Sequence, residues 1–483
     1  MNQAQNNHQS QKQNLKAKKL HFIGIGGIGM SALARYFNLL GKDISGSDKE
    51  PSATICALKK EGINNIWTPH SDQELSKINP DYIIYSTAVN ETNPEIKWAK
   101  ENNKIILHRS ELLELATKEK KLIAVSGTHG KTSTTALIYD TLEKNDYSPS
   151  CIIGGILNSK RSNSVLGTGK YFVIEADESD KSFLKGTPEI GIITNIEKDH
   201  LENYNDGFEE IKKSFRTFAF NAFHNKGLVV CIEDTVTREL ISNDFNKEDP
   251  KIITYGFKDS KYNPTLSAKY KTENNTWDIF FKDIFAVNLK LQFAGKHYLL
   301  NALAAFGAGY LLGLSPDKIK SGIETSKGVQ RRFQILGKYN GATIVDDYAH
   351  HPTEIKATVD AALYLTPKRL LVLIQPHQPT RLMQLWNEFI TVLKERDEDI
   401  YITDTYIARG SEIQGINSKK LVSEISKPNV NYLPGNIDKI TEEVKKLIKP
   451  DDLVLILGAG DITQVGQKLV NSYEILATNS GNN

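Results

Sequence analysis

A glycine-rich stretch with a lysine and a threonine, AVSGTHGKTSTT at residues 124–135, has the composition of a phosphate-binding loop. The common pattern G-x-x-x-x-G-K-[ST] needs a glycine where this chain has Val125, although Gly130, Lys131 and Thr132 complete the pattern. Backbone amides from Gly127 to Thr132 can wrap phosphates, the lysine can reach the outer phosphates, and the threonine hydroxyl can bind Mg²⁺. The stretch therefore predicts a shortened loop that binds ATP with Mg²⁺.

A second glycine-rich turn, GIGGIG at residues 24–29, matches G-x-G-x-x-G between an apolar strand and a helix. Asp48 stands 22 residues after Gly26, close to the spacing of an acidic residue that binds a ribose hydroxyl. Amides at the helix start would hold a pyrophosphate, and the alternative is a tight turn without a ligand. A nicotinamide dinucleotide would be the default ligand, but no hydride-transfer site is evident downstream. The sequence thus predicts a second diphosphate site and leaves its ligand open.

Acidic residues follow two strands of the same block. Glu175 ends the strand YFVIE, where a carboxylate can meet the magnesium, while Asp177, Glu178 and Asp180 are interpreted as solvated charges or helix caps. His200, in the Asp-His pair after IGIITNI, is either a metal ligand, a phosphate neighbour or a simple hydrogen-bonding residue.

A third polar cluster, DDYAHH at residues 346–351, also follows a strand. Two acids, a tyrosine and two histidines are hard to explain by packing, and Arg331, Arg332 and Arg381 can bring guanidinium groups to a carboxylate or phosphate. Two phosphate loops, a metal carboxylate and these arginines indicate phosphoryl transfer or ATP-driven ligation, without naming the acceptor.

Alternating strands and helices must position these residues, so we predict an α/β fold with parallel sheets. Three blocks follow a polar tail at 1–18 that is predicted to be disordered: a Rossmann-like domain at 19–116, a P-loop ATP-binding α/β domain at 117–327 and a Rossmann-like domain at 328–483. ELLELATKEK is interpreted as a linker between the first two blocks. The polar stretch NKEDPKIITYGFKDSKYNPT is predicted to form antiparallel strands or loops.

Bulk composition limits the functional class. The 483 residues are 39% hydrophobic and 24% charged, as in globular proteins, and the net charge of +2 argues against nucleic acid as a partner. Three scattered cysteines indicate neither a metal site nor disulfides, and no run approaches the ~18 apolar residues of a membrane span. A cytoplasmic protein without membrane insertion is expected.

The ordered motifs FIGIGGIGMSALA, SGTHGKTSTT, EADESD, TNIEKDH, GKHYLLNALAA, GVQRRFQ, DDYAHHPTEI and LGAGDI resemble those of the Mur ligases over nearly the whole chain. The family form of the phosphate loop is short, so Val125 fits it. The resemblance implies three domains that bind a UDP substrate, bind ATP, and close over ATP and the amino acid. The implied reaction joins L-alanine to UDP-N-acetylmuramate through an acyl phosphate, with ATP and Mg²⁺, in peptidoglycan precursor synthesis, by a monomer or homodimer.

The resemblance also implies site residues. The UDP substrate would contact Gly24, Gly26, Gly27, Gly29, Asp48, Ser86 and Thr87. ATP would contact Gly127, Thr128, His129, Gly130, Lys131, Thr132, Ser133, His297, Asn301, Arg332 and Asp347. Metal ions would bind Thr132, Glu175 and His200; the amino acid would meet Tyr348, His350 and Arg381; and the catalytic set would be Lys131, His200, Arg332, His350 and Arg381.

Three departures from the family pattern affect these assignments. Tyr298 replaces the asparagine usual after the motif histidine, Gln378 stands at a common arginine position, and Arg409 begins an insertion. Phe215 and Arg216 occupy the region where sibling ligases carry a carbamylated lysine, so no carbamate is expected. The competing interpretations are a murein-tripeptide ligase, a nicotinamide-dependent dehydrogenase and a regulatory nucleotide-binding protein.

Overall fold

The computed structural model describes residues 17–179, 181–199, 201–292, 295–408 and 411–480. The predictions made for the N-terminal tail up to residue 16, for Asp180, for His200 and for Arg409 lie outside these residues. The chain divides into two compact units, one formed by residues 1–291 with 300–328 and the other by 292–299 with 329–483.

The first sheet of the first unit has five parallel strands in the order β3-β2-β1-β4-β5. Its strands are short apolar runs, because helices cover a parallel sheet on both faces. The strands are β1 (Lys19–Ile23), β2 (Asp43–Ser47), β3 (Asn65–Trp67), β4 (Tyr82–Tyr85) and β5 (Ile105–His108). The helices are α1 (Ile28–Leu39), α2 (Ala53–Lys60), α3 (Asp72–Ile78), α4 (Pro94–Glu101) and α5 (Arg109–Thr117).

The second sheet of the first unit has ten strands in the order β15-β14-β13-β12-β11-β10-β6-β9-β7-β8. The strands are β6 (Lys121–Ser126), β7 (Ser150–Leu157), β8 (Ser162–Val165), β9 (Tyr171–Glu175), β10 (Ile190–Ile193), β11 (Gly227–Cys231), β12 (Ile252–Phe257), β13 (Leu266–Lys271), β14 (Thr276–Phe281) and β15 (Ile284–Leu289). The α-helices of this segment are α6 (Lys131–Lys144), α7 (Phe208–His224), α8 (Thr235–Asp244), α9 (Lys296–Leu311) and α10 (Pro316–Thr325). Residues 296–299 of α9 group with the second unit.

The prediction of antiparallel strands or loops for NKEDPKIITYGFKDSKYNPT is wrong for its central part. IITYGF forms β12, which is buried apart from its last residue and pairs in parallel with both β11 and β13. On this side of the sheet, antiparallel pairing begins at β13 with β14. The polar residues that flank this strand hid the short apolar run, which the crossover through α8 brings into the parallel sheet.

Helix α1 packs the first sheet of this unit against the second. The guanidinium of Arg35 donates to Asn163 Oδ1 at 2.7 Å, and Asn163 Nδ2 donates to the carbonyl of Ile28 at 2.9 Å. Both Arg35 and Asn163 are buried, so these bonds fix the glycine-rich turn before α1 relative to β8.

The second unit contains one six-stranded sheet in the order β16-β17-β21-β18-β19-β20, in which β16 alone runs antiparallel to its neighbour. Its strands are β16 (Gln334–Tyr339), β17 (Ala342–Asp347), β18 (Arg369–Ile374), β19 (Asp399–Ile402), β20 (Val430–Tyr432) and β21 (Asp452–Leu457). Its further helices are α11 (Pro352–Tyr364), α12 (Pro379–Gln384), α13 (Trp386–Lys394), α14 (Ser418–Ile425), α15 (Ile437–Leu447) and α16 (Thr463–Ser480).

The expected α/β class with mostly parallel sheets is therefore confirmed. Parallel strands deliver their carboxyl ends to one edge of a sheet, and in the second sheet Val125 of β6 pairs with Glu175 of β9 while Ser126 pairs with Ile193 of β10. Within the described residues, no helix has the length and apolarity needed to cross a membrane.

Candidate active site

The loop between β6 and α6 has two glycines in backbone conformations that other residues rarely adopt. Gly127 has φ +136° and Gly130 has φ +82°. A Cβ on Gly127 would overlap the Thr194 hydroxyl, and one on Gly130 would lie 2.5 Å from Asn301 Oδ1. The loop therefore needs both glycines for conformation and for space. Val125, at the earlier glycine position of longer loops, is simply a buried residue of β6.

The backbone amides of this loop divide into two groups. Those of Thr128 and His129, which were predicted to wrap phosphates, donate instead to the main-chain and side-chain oxygens of Asn195 at 3.0 and 2.8 Å. Helix α6 begins after Gly130 without a side-chain cap. The first-turn amides of an α-helix have no partner within the helix, and the helix dipole favours an anion there. The start of α6 is thus suited to phosphate.

Lys131 lies in a carboxylate-rich environment at the start of α6. Its Nζ donates to the carbonyls of Gly127 and Thr128 at 2.5 and 3.1 Å and lies 2.9 Å from the Glu178 carboxylate. Burial alone would lower the pKa of Lys131, but the charges of Glu178, Asp177 and Glu175 outweigh burial and raise it above its usual value. The lysine is therefore a charged group held at the loop by its own carbonyls and by Glu178.

The interpretation of Glu178 as a solvated charge or cap is wrong. It is 4% exposed, because it pairs with Lys131 beneath the loop. Asp177 fits the cap interpretation in part, since its Oδ1 accepts a hydrogen bond from the Ser179 amide at 3.0 Å. Its Oδ2 accepts a hydrogen bond from Arg109 Nη2 at 3.2 Å. Sequence patterns alone indicated neither Arg109 nor the burial of Glu178, because both depend on segments distant in sequence.

The residues predicted for magnesium are compatible with that ion. Glu175 is half-buried at the end of β9 and accepts the Gly154 amide at 2.8 Å, and Thr132 is buried in the first turn of α6. Hydroxyl and carboxylate oxygens are the donors that Mg²⁺ prefers. The negative charges of Glu178, Asp177 and Glu175 raise the pKa of Lys131, and the same charges favour the binding of a cation in this region.

Helix α9 carries the two residues predicted for the adenine side of ATP. Asn301 is buried in the first unit, where it lies against Gly130 and its Oδ1 receives the Thr134 hydroxyl at 3.2 Å. His297 groups with the second unit, and burial together with the charge of Arg332 lowers its pKa to about 4. His297 is therefore neutral at pH 7, and Asn301 supports the phosphate loop.

The glycine-rich turn after β1 is shaped by Asp48. Its Oδ2 accepts the amide of Gly26 at 2.8 Å, and any Cβ on Gly26 would meet the same oxygen. Gly24 has φ +79°, and the Gly27 amide donates back to its carbonyl at 3.1 Å. The Asp48 carboxylate thus lies at the turn, as expected for a group near a nucleoside. Its Oδ2 stabilises the conformation of the turn through the hydrogen bond from Gly26.

The remaining residues predicted for the UDP substrate follow a neighbouring strand. Ser86 and Thr87 come directly after β4, which pairs with β1 in the first sheet, and Thr87 is exposed. They therefore lie at the same edge of this sheet as the glycine-rich turn.

In the second unit, Asp347 is fixed by backbone amides. Its two carboxylate oxygens accept the amides of Phe333 and Ala349 at 2.6 and 2.7 Å, and burial raises its pKa to about 6. Arg331 lies 3.3 Å from Asp346 and also donates to the Gly458 carbonyl. This end of β17 is thus tied to the segment before β16 and to the end of β21.

An aromatic cluster forms where β17, β18 and β19 end in this unit. The ring of His350 lies 5.4 Å from Tyr348 and 5.6 Å from His377, which stacks on Tyr406 at 5.8 Å. The sequence prediction included Tyr348 and His350 but omitted His377 and Tyr406. Both omitted residues follow strand ends in QPHQPTR and TDTYIA, and that position was the available signal.

Two arginines place positive charge on this cluster. The guanidinium of Arg332 lies 5.3 Å from the Tyr348 ring centre. Burial lowers the pKa of His350, and Arg381 and Arg332 lower it further against the opposing charge of Glu354. A carboxylate ligand would therefore find a cationic surface here.

Comparison with protein families matches three models along the chain. Residues 19–121 match the catalytic domain of the Mur ligase family, residues 125–309 match the Mur ligase middle domain, and residues 331–460 match the Mur ligase glutamate ligase domain. The domain boundaries predicted from the sequence remain predictions.

Curated relatives extend the match over nearly the full length. The chain is 41% identical to the UDP-N-acetylmuramate–L-alanine ligase of Carboxydothermus hydrogenoformans, over 94% of this chain and 97% of the relative. It is 35% identical to the ligase of the same name from Rickettsia bellii, over 96% and 98% of the two chains.

Solved structures share the architecture. The UDP-N-acetylmuramate-alanine ligase MurC of Thermotoga maritima superimposes with a TM-score of 0.78 at 29% identity, covering 94% of this chain and 99% of that one. A murein peptide ligase of Psychrobacter arcticus has a TM-score of 0.68 at 22% identity, covering 94% and 98% of the two chains, which shows the fold alone.

Proposed function

The chain belongs to the Mur ligase family, and from this premise we propose that it joins L-alanine to the carboxyl group of UDP-N-acetylmuramate, converting ATP to ADP and phosphate. The observation that carries the proposal is the full-length similarity to relatives named for this reaction at 35 to 41% identity. The product is a precursor of peptidoglycan. The need for ATP supports a cytoplasmic location, and a monomer or homodimer remains our expectation.

The chemistry requires activation of a carboxylate. A free carboxylate is a poor acceptor for an amine at neutral pH, so the γ-phosphoryl group of ATP is transferred to it and gives an acyl phosphate. The amine of L-alanine then attacks the acyl carbon. The tetrahedral intermediate collapses with loss of phosphate, which leaves the amide. In this scheme the protein mainly positions reactants and stabilises charge.

The phosphate loop supplies the ATP site. We infer that first-turn amides of α6, with Ser133 among them, bind phosphate oxygens and that Lys131 exchanges Glu178 for the outer phosphates. Thr132 and Glu175 would hold Mg²⁺, which when bound supplies neutralising charge to the phosphates. This assignment is supported by the two glycines with positive φ, the uncapped helix start and the local excess of carboxylates.

Side chains of the second unit are proposed for the other parts of ATP. His297 is neutral at pH 7 and so can donate or accept one hydrogen bond, while Arg332 supplies a positive charge to phosphate. For Asp347, a role in fixing the local backbone is better supported than the expected contact with ATP, because both of its oxygens already accept backbone amides.

The alanine site is proposed at the aromatic cluster of the second unit. Arg381 would bind the carboxylate of L-alanine, beside Tyr348. The Tyr348 carbonyl can only accept, so the 3.0 Å contact with His350 Nδ1 means that this nitrogen carries the hydrogen. The neutral imidazole then has an unprotonated Nε2, which we propose takes the proton from the attacking amine.

Phosphate release tests the proposal. The chain is incubated with ATP, Mg²⁺ and UDP-N-acetylmuramate, and L-alanine, glycine, L-serine or the murein tripeptide is added in separate reactions. We expect release to be fastest with L-alanine and to need all three substrates. Release with the tripeptide alone would assign the chain to peptide recycling, and no release with any acceptor would refute ligase activity.

A further inference from the structure

Arg109 lies between the glycine-rich turn and the acidic segment that follows β9. It is the first residue of α5, and its Nη1 lies 3.2 Å from the place a Cβ would occupy on Gly29, in the glycine-rich turn and helix start. Its Nη2 donates to Asp177 Oδ2 at 3.2 Å, in the segment that follows β9. One guanidinium therefore lies beside Gly29 of the proposed UDP-binding turn and donates to Asp177, a carboxylate in the segment next to Lys131.

Helix stability does not explain a cation at this position. A positive charge in the first turn of a helix opposes the helix dipole. Helix α5 is already capped by His108, with Glu111 completing a capping box. The pair with Asp177 is partly exposed, 19% for Arg109 and 38% for the aspartate, and such pairs add little to stability.

Asp177 connects Arg109 to the ATP-binding loop. Asp177 accepts the hydrogen bond from Arg109, and the next residue along the chain, Glu178, lies 2.9 Å from Nζ of Lys131. Arg109, Asp177 and Glu175 also line one cavity. The Arg109 side chain is 19% exposed, so a ligand can reach it while its guanidinium stays paired with Asp177.

We propose that Arg109 binds the diphosphate of the UDP substrate and, through Asp177, positions that substrate relative to the ATP-binding loop. The inference rests on the proposed function, which supplies a nucleoside diphosphate at the glycine-rich turn. A guanidinium presents paired donors that match phosphate oxygens, and the missing side chain at Gly29 leaves room for it beside the turn.

The test uses the full chain with Arg109→Ala, Arg109→Lys and Asp177→Asn. The control is Arg161→Ala, which removes an exposed arginine from the turn between β7 and β8. Calorimetry measures the affinity for UDP alone. Steady-state kinetics then give kcat and the KM values for UDP-N-acetylmuramate, ATP and L-alanine.

We expect Arg109→Ala to weaken UDP binding and to raise the KM for UDP-N-acetylmuramate by about tenfold or more, as for a lost charged hydrogen bond, with the KM for ATP changed less than about twofold. Arg109→Lys should lie between this variant and the wild type. Asp177→Asn should keep UDP affinity and lower kcat, and the control should match the wild type.

Unchanged UDP affinity in a folded Arg109→Ala protein would overturn the proposal. If Asp177→Asn lost as much UDP affinity as Arg109→Ala, the Arg109–Asp177 pair would be purely structural, and this result would also overturn the proposal. If the alanine variant does not fold, wild-type UDP affinity in Arg109→Lys would overturn it. A wild-type protein that binds UDP through Arg109 but releases no phosphate would refute the ligase function and leave the UDP contact standing.

Discussion

Lys131→Met should separate the structural role of this lysine from its role in turnover. The Lys131 side chain is 13% exposed and that of Glu178 is 6% exposed, so the methionine variant leaves a carboxylate buried without its cation. Breaking a buried pair in this way costs about 3–5 kcal/mol, and we expect about 3 kcal/mol because some solvent reaches the lysine. Adding Glu178→Gln removes the second charge and should recover about 2 kcal/mol, while turnover stays abolished in both variants.

Urea unfolding followed by circular dichroism, without nucleotide, measures the free energies, and phosphate release measures turnover. Lys121→Met is the matched control, because Lys121 forms an exposed pair with Glu189 at the start of β6 and should change stability far less than Lys131→Met. A Lys131→Met protein as stable as the control, or a double variant no more stable than the single one, would show that Lys131 and Glu178 do not form a stabilising buried pair. Turnover in either variant would remove Lys131 from the phosphate site.

Further variants test the loop and a buried histidine. Gly127 has φ +136°, and a Cβ at this residue would overlap the Thr194 hydroxyl. Gly127→Ala should therefore lower the free energy of unfolding by at least about 2 kcal/mol and abolish ATP-dependent turnover. Wild-type melting and activity in this variant would contradict the loop geometry. The pKa of His297 is about 4 in the folded protein, whereas the ordinary value is 6.5. The neutral histidine therefore contributes its full share of folding stability above pH 6.5, and this stability is lost as the pH falls toward 4. Between pH 7 and pH 5 the free energy of unfolding should fall by about 2 kcal/mol less in His297→Gln than in the wild type, and an equal fall in both proteins would contradict the buried neutral imidazole.

Local sequence was sufficient where a strand, a glycine turn and a helix follow one another. AVSGTHGKTSTT was predicted between a strand and a helix, and the structure has β6 ending at Ser126 and α6 beginning at Lys131. GIGGIG likewise lies between β1 and α1. These signals are local because backbone conformation and apolar runs are set by neighbouring residues.

Features that depend on distant segments were not predictable in this way. Glu95 stands in the polar helix PEIKWAKE, yet it is fully buried and accepts hydrogen bonds from Ser47 and Trp67, which end other strands of the first sheet. The burial of Glu178 and the contact of Arg109 with Asp177 also arise from tertiary packing. A single sequence shows the charge of such residues but not the partners that the fold brings to them.

Transfer of ¹⁸O from the carboxyl group to phosphate distinguishes carboxylate activation by ATP from simple ATP hydrolysis. UDP-N-acetylmuramate labelled with ¹⁸O in its carboxyl group is incubated with the chain, ATP, Mg²⁺ and L-alanine, and mass spectrometry follows the label. Activation of the carboxylate by ATP predicts one ¹⁸O atom in each phosphate released and one remaining in the amide of the product. Unlabelled phosphate, or phosphate release without formation of the L-alanine product, would contradict the account.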